Sequence, residues 1–241
     1  MRTIGTVVRG VRAPIFQAGD DLAKEVCKAV MAASEEAQAP LRDRDVIAVT
    51  ESVVARTQGN YATLEQIAAD VRAKIPAGAD GKRTAAVVFP IMSRNRFSML
   101  LKGISMGVDK LYIVLKYPSD EVGNELISLD RLEEKGVDPY RDVLTEAKYR
   151  ELFGENVLHP FTGMDYVKLY REYARNSEIL LANDARAVLT YAQDVIACDI
   201  HTRARTVRLL KEAGARTALT LADLLNAPVD GSGYNPDFGL Y

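Results

Sequence analysis

The sequence predicts an α/β (mixed α+β) protein in which a sheet with a parallel component is flanked by helices, arranged in two lobes. Two observations support this prediction. Short runs rich in β-branched residues alternate with stretches of helical periodicity along the 241 residues, which is typical of parallel strands joined by helices. Hydrophobic residues make up 48% of the chain and charged residues 27%, as in ordinary globular proteins with a large buried core.

The first half of the chain shows clear helix starts. Asp20 and Asp21 can cap a helix whose apolar residues recur at helical spacing. Thr63 and Gln66 have the spacing of a capping box and predict a second helix. The other elements predicted here are strands over 2–8, 45–50, 85–91 and 110–116, and a helix over 97–106.

The second half begins with a stretch that is richer in charge, glycine and proline. This change predicts three segments: an N-terminal α/β lobe over 1–116, a linking or inserted segment over 117–160, and a C-terminal α/β lobe with a tail over 161–241. The tail from Asp230 onward has no regular pattern, so we expect it to continue into further sequence or to fold over the ligand site. Helices are predicted over 129–135, 146–153, 165–174 and 202–213, and strands over 178–182 and 195–200.

Composition and motifs argue against several classes of function. Lysine plus arginine total 31 and aspartate plus glutamate 33, a balance that disfavours a strongly basic nucleic-acid binder. No apolar run approaches the roughly 18 residues of a membrane helix, and we expect a cytoplasmic protein. Cys27 and Cys198 are the only cysteines, so a disulfide framework and a cysteine zinc site are excluded. Dinucleotide, P-loop, zincin and nucleophile-elbow motifs are absent.

Charged residues follow several predicted strands, and in open α/β sheets ligands bind beyond the carboxyl ends of the strands. The forked guanidinium groups of Arg94 and Arg203 suit phosphate oxygens. The carboxylates of Asp120, Glu121 and Asp199 suit Mg²⁺ or Mn²⁺. Each residue also has a structural interpretation: the arginines as solvated side chains, Asp120 and Glu121 as turn residues, and Asp199 as a helix cap.

Two segments near the start of the chain show a family resemblance. Residues 14–23 read P-I-F-Q-A-G-D-D-L-A, and residues 43–59 read D-R-D-V-I-A-V-T-E-S-V-V-A-R-T-Q-G. The first resembles the L-P-x-I-x-x-G-D-D-L opening of the coenzyme F420-0:L-glutamate ligase family. The second is similar to that family's D-G-D-V-x-V-x-(T/S)-(S/T)-K-x-V-S-K-x-E-G stretch. Order and spacing both match, so the chain resembles a divergent bacterial branch of this family.

The resemblance implies a GTP- or ATP-dependent ligase that adds glutamate to a deazaflavin precursor. In such an enzyme the acceptor carboxylate is activated as an acyl phosphate, the amine of glutamate attacks it, and Mg²⁺ or Mn²⁺ neutralises the phosphates. Arg56 would supply a cation where the family has lysine, as a fork instead of a point charge. On this template the nucleotide would contact Ala13, Pro14, Ile15, Phe16, Glu51, Ser52 and Arg56.

The expected function is therefore a nucleotide-dependent γ-glutamyl ligase that acts on a small-molecule acid and an amino acid. We expect no nucleic-acid or membrane partner, and a homodimer is a further expectation. The alternative is a non-catalytic domain that binds a nucleotide or another phosphorylated ligand, as part of a longer chain. A scaffolding protein would need an exposed apolar surface that the sequence does not indicate. Convergence of Asp120, Glu121 and Asp199 on one pocket would favour catalysis.

Overall fold

The computed structural model describes residues 5–240, which form two compact units with a boundary between Tyr61 and Ala62. The division into 1–116, 117–160 and 161–241 that composition suggests stays a prediction. Within the described residues, no helix combines the length and the apolar character that crossing a membrane requires.

The first unit contains two helices, α1 (Leu22–Glu36) and α2 (Glu51–Thr57). The side chain of Asp21 accepts a hydrogen bond from the Lys24 amide at 3.1 Å, which confirms the predicted cap of α1. The amide of Gly19, in the loop before α1, donates to the carbonyl of Thr57 at the end of α2 at 2.8 Å. Local capping and one backbone contact thus set the arrangement of these elements.

The strands predicted in this unit are not found among the described residues. Residues 45–50 and 5–8 have irregular backbone, and residues 2–4 of the first prediction lie outside the described residues. Val8 is 88% exposed and Val46 is 89% exposed. A β-branched run becomes a strand when a neighbouring strand pairs with its backbone groups, and the described part of this unit forms no such ladder. The strand prediction over 45–50 is therefore wrong, and the prediction over 2–8 is wrong for residues 5–8.

The second unit is built on a six-stranded sheet. Its strands are β1 (Thr84–Val88), β2 (Lys110–Leu115), β3 (Leu144–Thr145), β4 (Ser177–Leu181), β5 (Asp194–Ala197) and β6 (Thr217–Thr220). They lie in the order β3-β4-β2-β1-β5-β6. The pair β3–β4 is antiparallel and the other neighbouring pairs are parallel, with β1 aligned on both sides through Val88, which pairs with Val114 and Ala197.

Helices connect these strands and confirm the predicted α/β class. They are α3 (Leu64–Lys74), α4 (Phe97–Met106), α5 (Leu129–Glu134), α6 (Glu146–Phe153), α7 (Tyr166–Tyr173) and α8 (Arg203–Glu212), with 3₁₀ turns at Ala185–Thr190 and Leu221–Asp223. The predicted capping box of α3 is present, since Thr63 and Gln66 exchange side-chain and backbone hydrogen bonds. Most predicted bounds agree with these elements to within one to three residues.

Both faces of the sheet are covered by apolar side chains. One buried cluster joins inward residues of the strands to α3, α4 and α7, and includes Val87, Ile104 and Tyr170. The other joins the opposite face to α8 and the first 3₁₀ turn, and includes Val88 and Leu210. Burial on both faces explains why the central strands are nearly continuous apolar runs instead of alternating ones.

The helices α3 and α4 approach closely because α4 presents glycine to α3. A Cβ added to Gly103 would lie 2.9 Å from Cγ2 of Ile67, and one added to Gly107 would lie 2.7 Å from Cβ of Val71. Side chains larger than hydrogen would force the helices apart. The two glycines therefore set the spacing of this helix pair.

The end of the described chain packs onto its own unit. The amide of Asn235 donates to Leu225 at 3.1 Å, and the amide of Leu240 donates to Leu221 at 2.9 Å. Leu240 packs against the larger apolar cluster. The described part of the tail thus folds back onto 221–225 of its own unit. The expectation that the tail covers the ligand site or continues into further sequence stays a prediction.

Candidate functional site

The connections of the sheet reverse direction at β1. The chain proceeds from β1 to β2 on one side, and later returns to place β5 on the other side. In an open α/β sheet, such a switch point leaves a crevice at the carboxyl ends of the two central strands, where ligands bind. In this sheet the rule gives a position between the segments 89–96 after β1 and 198–203 after β5, and we call this position the switch-point crevice.

The segment after β1 is held by two neighbouring side chains. The hydroxyl of Tyr170 donates to the carbonyl of Ile91 and accepts from the Ser93 amide, the latter at 3.1 Å. The carboxylate of Glu121 accepts from the Met92 amide at 3.2 Å. Burial raises the pKa of the Tyr170 hydroxyl above its ordinary value, so it stays a neutral donor. The backbone beside the crevice is thus fixed from α7 and from the segment after β2.

Arg94 lies in this fixed segment, directly before α4, and its side chain is exposed. Its carbonyl accepts from the Ser98 hydroxyl, which anchors its backbone at the start of the helix. After β2, the ammonium of Lys116 lies 4.6 Å from the centre of the Phe89 ring. Both cations border the carboxyl ends of β1 and β2.

Asp120 is a buried carboxylate whose oxygens are fully used. Oδ1 accepts from the amides of Val122 and Asn124 at 3.0 and 2.7 Å, and Oδ2 accepts from the Asn124 side chain at 2.6 Å. Oδ2 also lies 3.0 Å from Nε2 of His159. Burial alone would raise the pKa of Asp120, but the hydrogen bonds from His159, Asn124 and Val122 outweigh it and lower the pKa.

The protonation of His159 follows from its neighbours. Its Nδ1 accepts from the amides of Phe161 and Thr162 at 3.2 and 3.3 Å, so the proton of the neutral ring is on Nε2 and is donated to Asp120. Both ring nitrogens are therefore occupied. A second buried pair lies nearby in sequence, in which Asp165 accepts two hydrogen bonds from Arg150 at 2.6 and 2.9 Å.

Asp199 differs, because only one of its oxygens has partners. Oδ2 accepts from the amide and the hydroxyl of Thr202 at 3.0 and 2.7 Å, just before α8. Oδ1 is buried and has no hydrogen-bond partner within the described residues. Nε of Arg203 donates to the carbonyl of Asp199 at 3.1 Å. The capping interpretation thus accounts for Oδ2 of this carboxylate and not for Oδ1.

The three predicted metal ligands occupy two different strand ends. Asp120 and Glu121 follow β2, whereas Asp199 follows β5, and β1 lies between these strands. Across residues 5–240, no group of three or more histidine, cysteine, aspartate or glutamate side chains is placed to hold a metal ion. The assignment of these three residues as ligands stays a prediction.

The residues predicted to contact a nucleotide fall in both units. Arg94 and Arg203 belong to the second unit, and the other seven belong to the first. In the first unit, Phe16 is buried and Ile15 is 84% exposed. Glu51 begins α2 and Arg56 lies in its last turn, with exposed side chains at both positions.

An open groove of about 690 Å³ lies within the first unit. Ala13 and Phe16 contribute to its lining, together with the apolar face of α1 that includes Val26 and Val30. Its walls are mostly apolar. The groove brings two of the seven residues predicted in this unit to one cavity, while Glu51, Ser52 and Arg56 do not line it.

Tyr170 and Lys116 were not predicted as site residues. Tyr170 lies on the buried face of the helix Tyr166–Tyr173. The hydroxyl of a buried tyrosine needs a hydrogen-bond partner, and this requirement is a signal that could have identified Tyr170 from the helical pattern. The position of Lys116 depends on the pairing of β1 with β2, which joins residues 26 apart and leaves no local signal in the sequence.

The model of the F420-0:gamma-glutamyl ligase family matches residues 10–221. The chain belongs to this family. The match confirms the resemblance of the opening segments and extends it over the whole sheet of the second unit. Searches of curated proteins and of solved structures find no significant match.

The family match includes every residue predicted for the site. The switch-point crevice also lies inside it, with Asp199 and Arg203 close to its C-terminal limit. In this member of the gamma-glutamyl ligase family, the segments after β1 and β5 contain a fixed backbone stretch, the exposed Arg94, the half-buried Arg203 and one buried carboxylate oxygen without a partner among the described residues.

Proposed function

We propose that the protein is a nucleotide-dependent γ-glutamyl ligase that joins the amine of L-glutamate to the carboxylate of a deazaflavin acid, with F420-0 as the acceptor that its family name indicates. The family membership supports the ligase class. The nucleotide, GTP or ATP, and the acyl-phosphate route are part of the proposal.

The reaction has two balanced steps. An oxygen of the acceptor carboxylate attacks the γ-phosphorus of the nucleotide, the bond to the β-phosphate oxygen breaks, and an acyl phosphate and a nucleoside diphosphate form. The amine of glutamate, after losing a proton, attacks the acyl carbon. The acyl–oxygen bond then breaks, inorganic phosphate leaves with the bond electrons, and the remaining excess proton passes to phosphate or solvent.

The observation that supports this reading most is the group of residues that follows β5. It combines the amino end of α8, the arginines Arg203 and Arg205 in its first turn, and Oδ1 of Asp199, the buried oxygen without a hydrogen-bond partner in the described part of the chain, which we call the open oxygen. Backbone N–H groups at a helix start and arginine side chains attract phosphate and carboxylate groups. Both reactants of a ligase carry such groups.

A divalent cation would neutralise phosphate charge in this chemistry. The described side chains form no group of three or more ligands, and both oxygens of Asp120 already have partners. These side chains therefore do not fit a cation held mainly by protein, and the proposal assigns no step to one. Mg²⁺ or Mn²⁺ arriving on the nucleotide phosphates stays an expectation.

Substitution of Arg56 tests nucleotide binding directly. At about 100 times its dissociation constant, a nucleotide that binds only the folded protein adds roughly 2.7 kcal/mol of stability, a melting shift of roughly 5–10 °C for a chain of this size. Arg56→Ala should remove most of this shift because a charge-assisted contact to phosphate is lost. Arg42→Ala, an exposed arginine of the same unit, is the matched control.

Turnover is measured by incubating the protein with GTP or ATP, L-glutamate and F420-0, and following the glutamyl adduct by mass spectrometry. We expect one diphosphate released per adduct. A nucleotide-induced melting shift without adduct would favour the alternative, a non-catalytic domain for phosphorylated ligands. The observation that favours this alternative is that the described side chains form no group of three or more metal ligands. No shift with either nucleotide would contradict the ligase proposal and would limit the alternative to a domain for another phosphorylated ligand.

A further inference from the structure

The open oxygen of Asp199 needs an explanation. Buried polar atoms in folded proteins nearly always have a hydrogen-bond partner, and a buried carboxylate oxygen without one costs free energy. Among the side chains of residues 5–240, Oδ1 of Asp199 is the buried atom that lacks a partner. Such an exception, placed at a switch-point crevice, indicates a ligand that brings a donor.

Asp199 lies four residues before the first residue of a helix, at the end that carries the positive side of the helix dipole. Asp199 directly precedes the turn that begins α8, a helix of ten residues, and the N-cap residue Thr202 makes no side-chain capping bond. The first amides of a helix have no partner within the helix. Arg203 and Arg205 lie in this first turn, Nε of Arg203 donates to the carbonyl of Asp199, and the dipole of α8 favours an anion there.

One acceptor oxygen beside a helix start complements a molecule that carries a cation and an anion a few bonds apart. An α-amino acid is such a molecule, with an ammonium that brings three N–H donors and a carboxylate that the helix start can bind. A protein-held divalent ion would need further oxygen ligands, and the described side chains do not supply a group of three.

We propose that Asp199 and the start of α8 form the binding subsite for the amino-acid substrate. Oδ1 of Asp199 accepts from its ammonium, and the first turn of α8 with Arg203 and Arg205 binds its carboxylate. The subsite deepens the proposed function, on which it rests, because it places the attacking amine at the switch point. Ile200, His201 and Thr202, which follow Asp199 in the chain, are exposed.

The test compares two aspartates with the same local role. In Asp199→Asn, the side chain keeps an acceptor for Thr202 but can present an amide group to the ammonium. Asp223→Asn is the matched control, because Oδ2 of Asp223 accepts from the amide and hydroxyl of Thr220 at 2.7 and 2.8 Å, as Asp199 does from Thr202. L-glutamate and glutarate, which lacks the ammonium, are titrated into each full-length protein by calorimetry, with and without GDP and Mg²⁺.

We expect Asp199→Asn to weaken L-glutamate binding by about 10- to 100-fold, in keeping with the loss of a charge-assisted hydrogen bond. Glutarate should bind the wild type and Asp199→Asn equally, and Asp223→Asn should bind L-glutamate like the wild type. Unchanged melting temperatures would show that each variant is folded.

Several results would overturn the subsite. These are equal L-glutamate affinity in wild type and Asp199→Asn, absence of L-glutamate binding by the wild type under both conditions, or an Asp199→Asn defect restored by raising Mg²⁺, which would assign the oxygen to a cation. L-glutamate binding that depends on Asp199, without turnover of any nucleotide, would support the subsite and contradict the ligase proposal.

Discussion

At the carboxyl edge of the sheet, Asp120 after β2 and Asp199 after β5 are both buried carboxylates, but their surroundings differ. The two oxygens of Asp120 together accept from two amides and the Asn124 side chain, and Oδ2 also lies against the protonated nitrogen of His159. Asp199 binds Thr202 with one oxygen and leaves the other without a partner.

The difference separates two roles for the same chemical group. Every hydrogen bond that Asp120 can accept is made within the fold, so it fixes the segment after β2 and has no capacity left for a ligand. Asp165, which binds Arg150 through both oxygens, belongs with it. At the switch point, Asp199 has one oxygen that accepts no hydrogen bond from the described residues. Carboxylates whose hydrogen bonds are all made within the fold should therefore control stability. The carboxylate that has an oxygen without a partner should control binding.

The largest expected effect on stability is at Asp165. Asp165→Ala leaves the guanidinium of Arg150, whose side chain is 12% exposed, without its partner and also removes the cap of α7. Breaking a buried pair in this way costs about 3–5 kcal/mol, a melting decrease of roughly 10 °C for this chain length. Thermal and urea denaturation measure it.

The control for this prediction is Glu151→Ala, which breaks a pair with Lys148 between side chains that are 67% and 49% exposed. Surface pairs contribute little, so a change below about 0.5 kcal/mol is expected. Similar losses in both variants would contradict the distinction between buried and exposed pairs.

A smaller effect, with a pH dependence, is expected at Asp120. In Asp120→Asn an amide donor faces the Nε2 proton of His159, so the free energy of unfolding at about pH 7 should decrease by roughly 2 kcal/mol. The folded-state pKa of Asp120 is below its ordinary value of 3.8. Its carboxylate therefore stabilises the fold fully above that value, and this contribution is lost as the pH falls through the folded-state pKa.

Urea denaturation at about pH 7, 5 and 3 tests this sign. The difference between wild type and Asp120→Asn should be the same at the two higher pH values and smaller at the lowest. Asp130→Asn, at an exposed position in α5, should show almost no difference at any of them. A gap that widens on acidification would refute the assignment of the Asp120–His159 hydrogen bonds.

Of the three buried carboxylates, Asp199 has the smallest expected effect on stability. Asp199→Asn keeps an acceptor for Thr202 and removes a charge from a buried oxygen that has no partner to lose. The free energy of unfolding should change by less than about 1 kcal/mol in either direction, although ligand binding decreases. Urea denaturation beside Asp120→Asn measures this. A loss as large as that of Asp120→Asn would place Asp199 among the structural carboxylates.

Local patterns in the sequence were sufficient for most elements of the second unit. The capping box at Thr63 and Gln66 involves residues three apart, and the helix Phe97–Met106 has the predicted bounds. The predicted strands over 85–91 and 110–116 correspond to Thr84–Val88 and Lys110–Leu115. Caps and periodicity act over a few residues, so their physical causes are visible in the sequence itself.

The same local patterns gave wrong predictions where a segment needs a partner strand to become a strand. Residues 45–50 have the β-branched composition of a strand, but no ladder forms there among the described residues. Conversely, Thr217–Thr220 has little strand signal and forms β6, because β5 offers it a parallel edge. Strand pairing joins distant segments, so composition at one segment does not settle it.

The sequence by itself determined the α/β class, the helix caps, the family and the group of charged residues that follow the strands. Only the tertiary structure decided which of these residues have capacity left for a ligand. The bond between Asp120 and His159 joins residues 39 apart, and the open oxygen of Asp199 is defined by what does not reach it. Residue type fixes how many hydrogen bonds a carboxylate can accept, whereas the packing of distant segments fixes how many are already made.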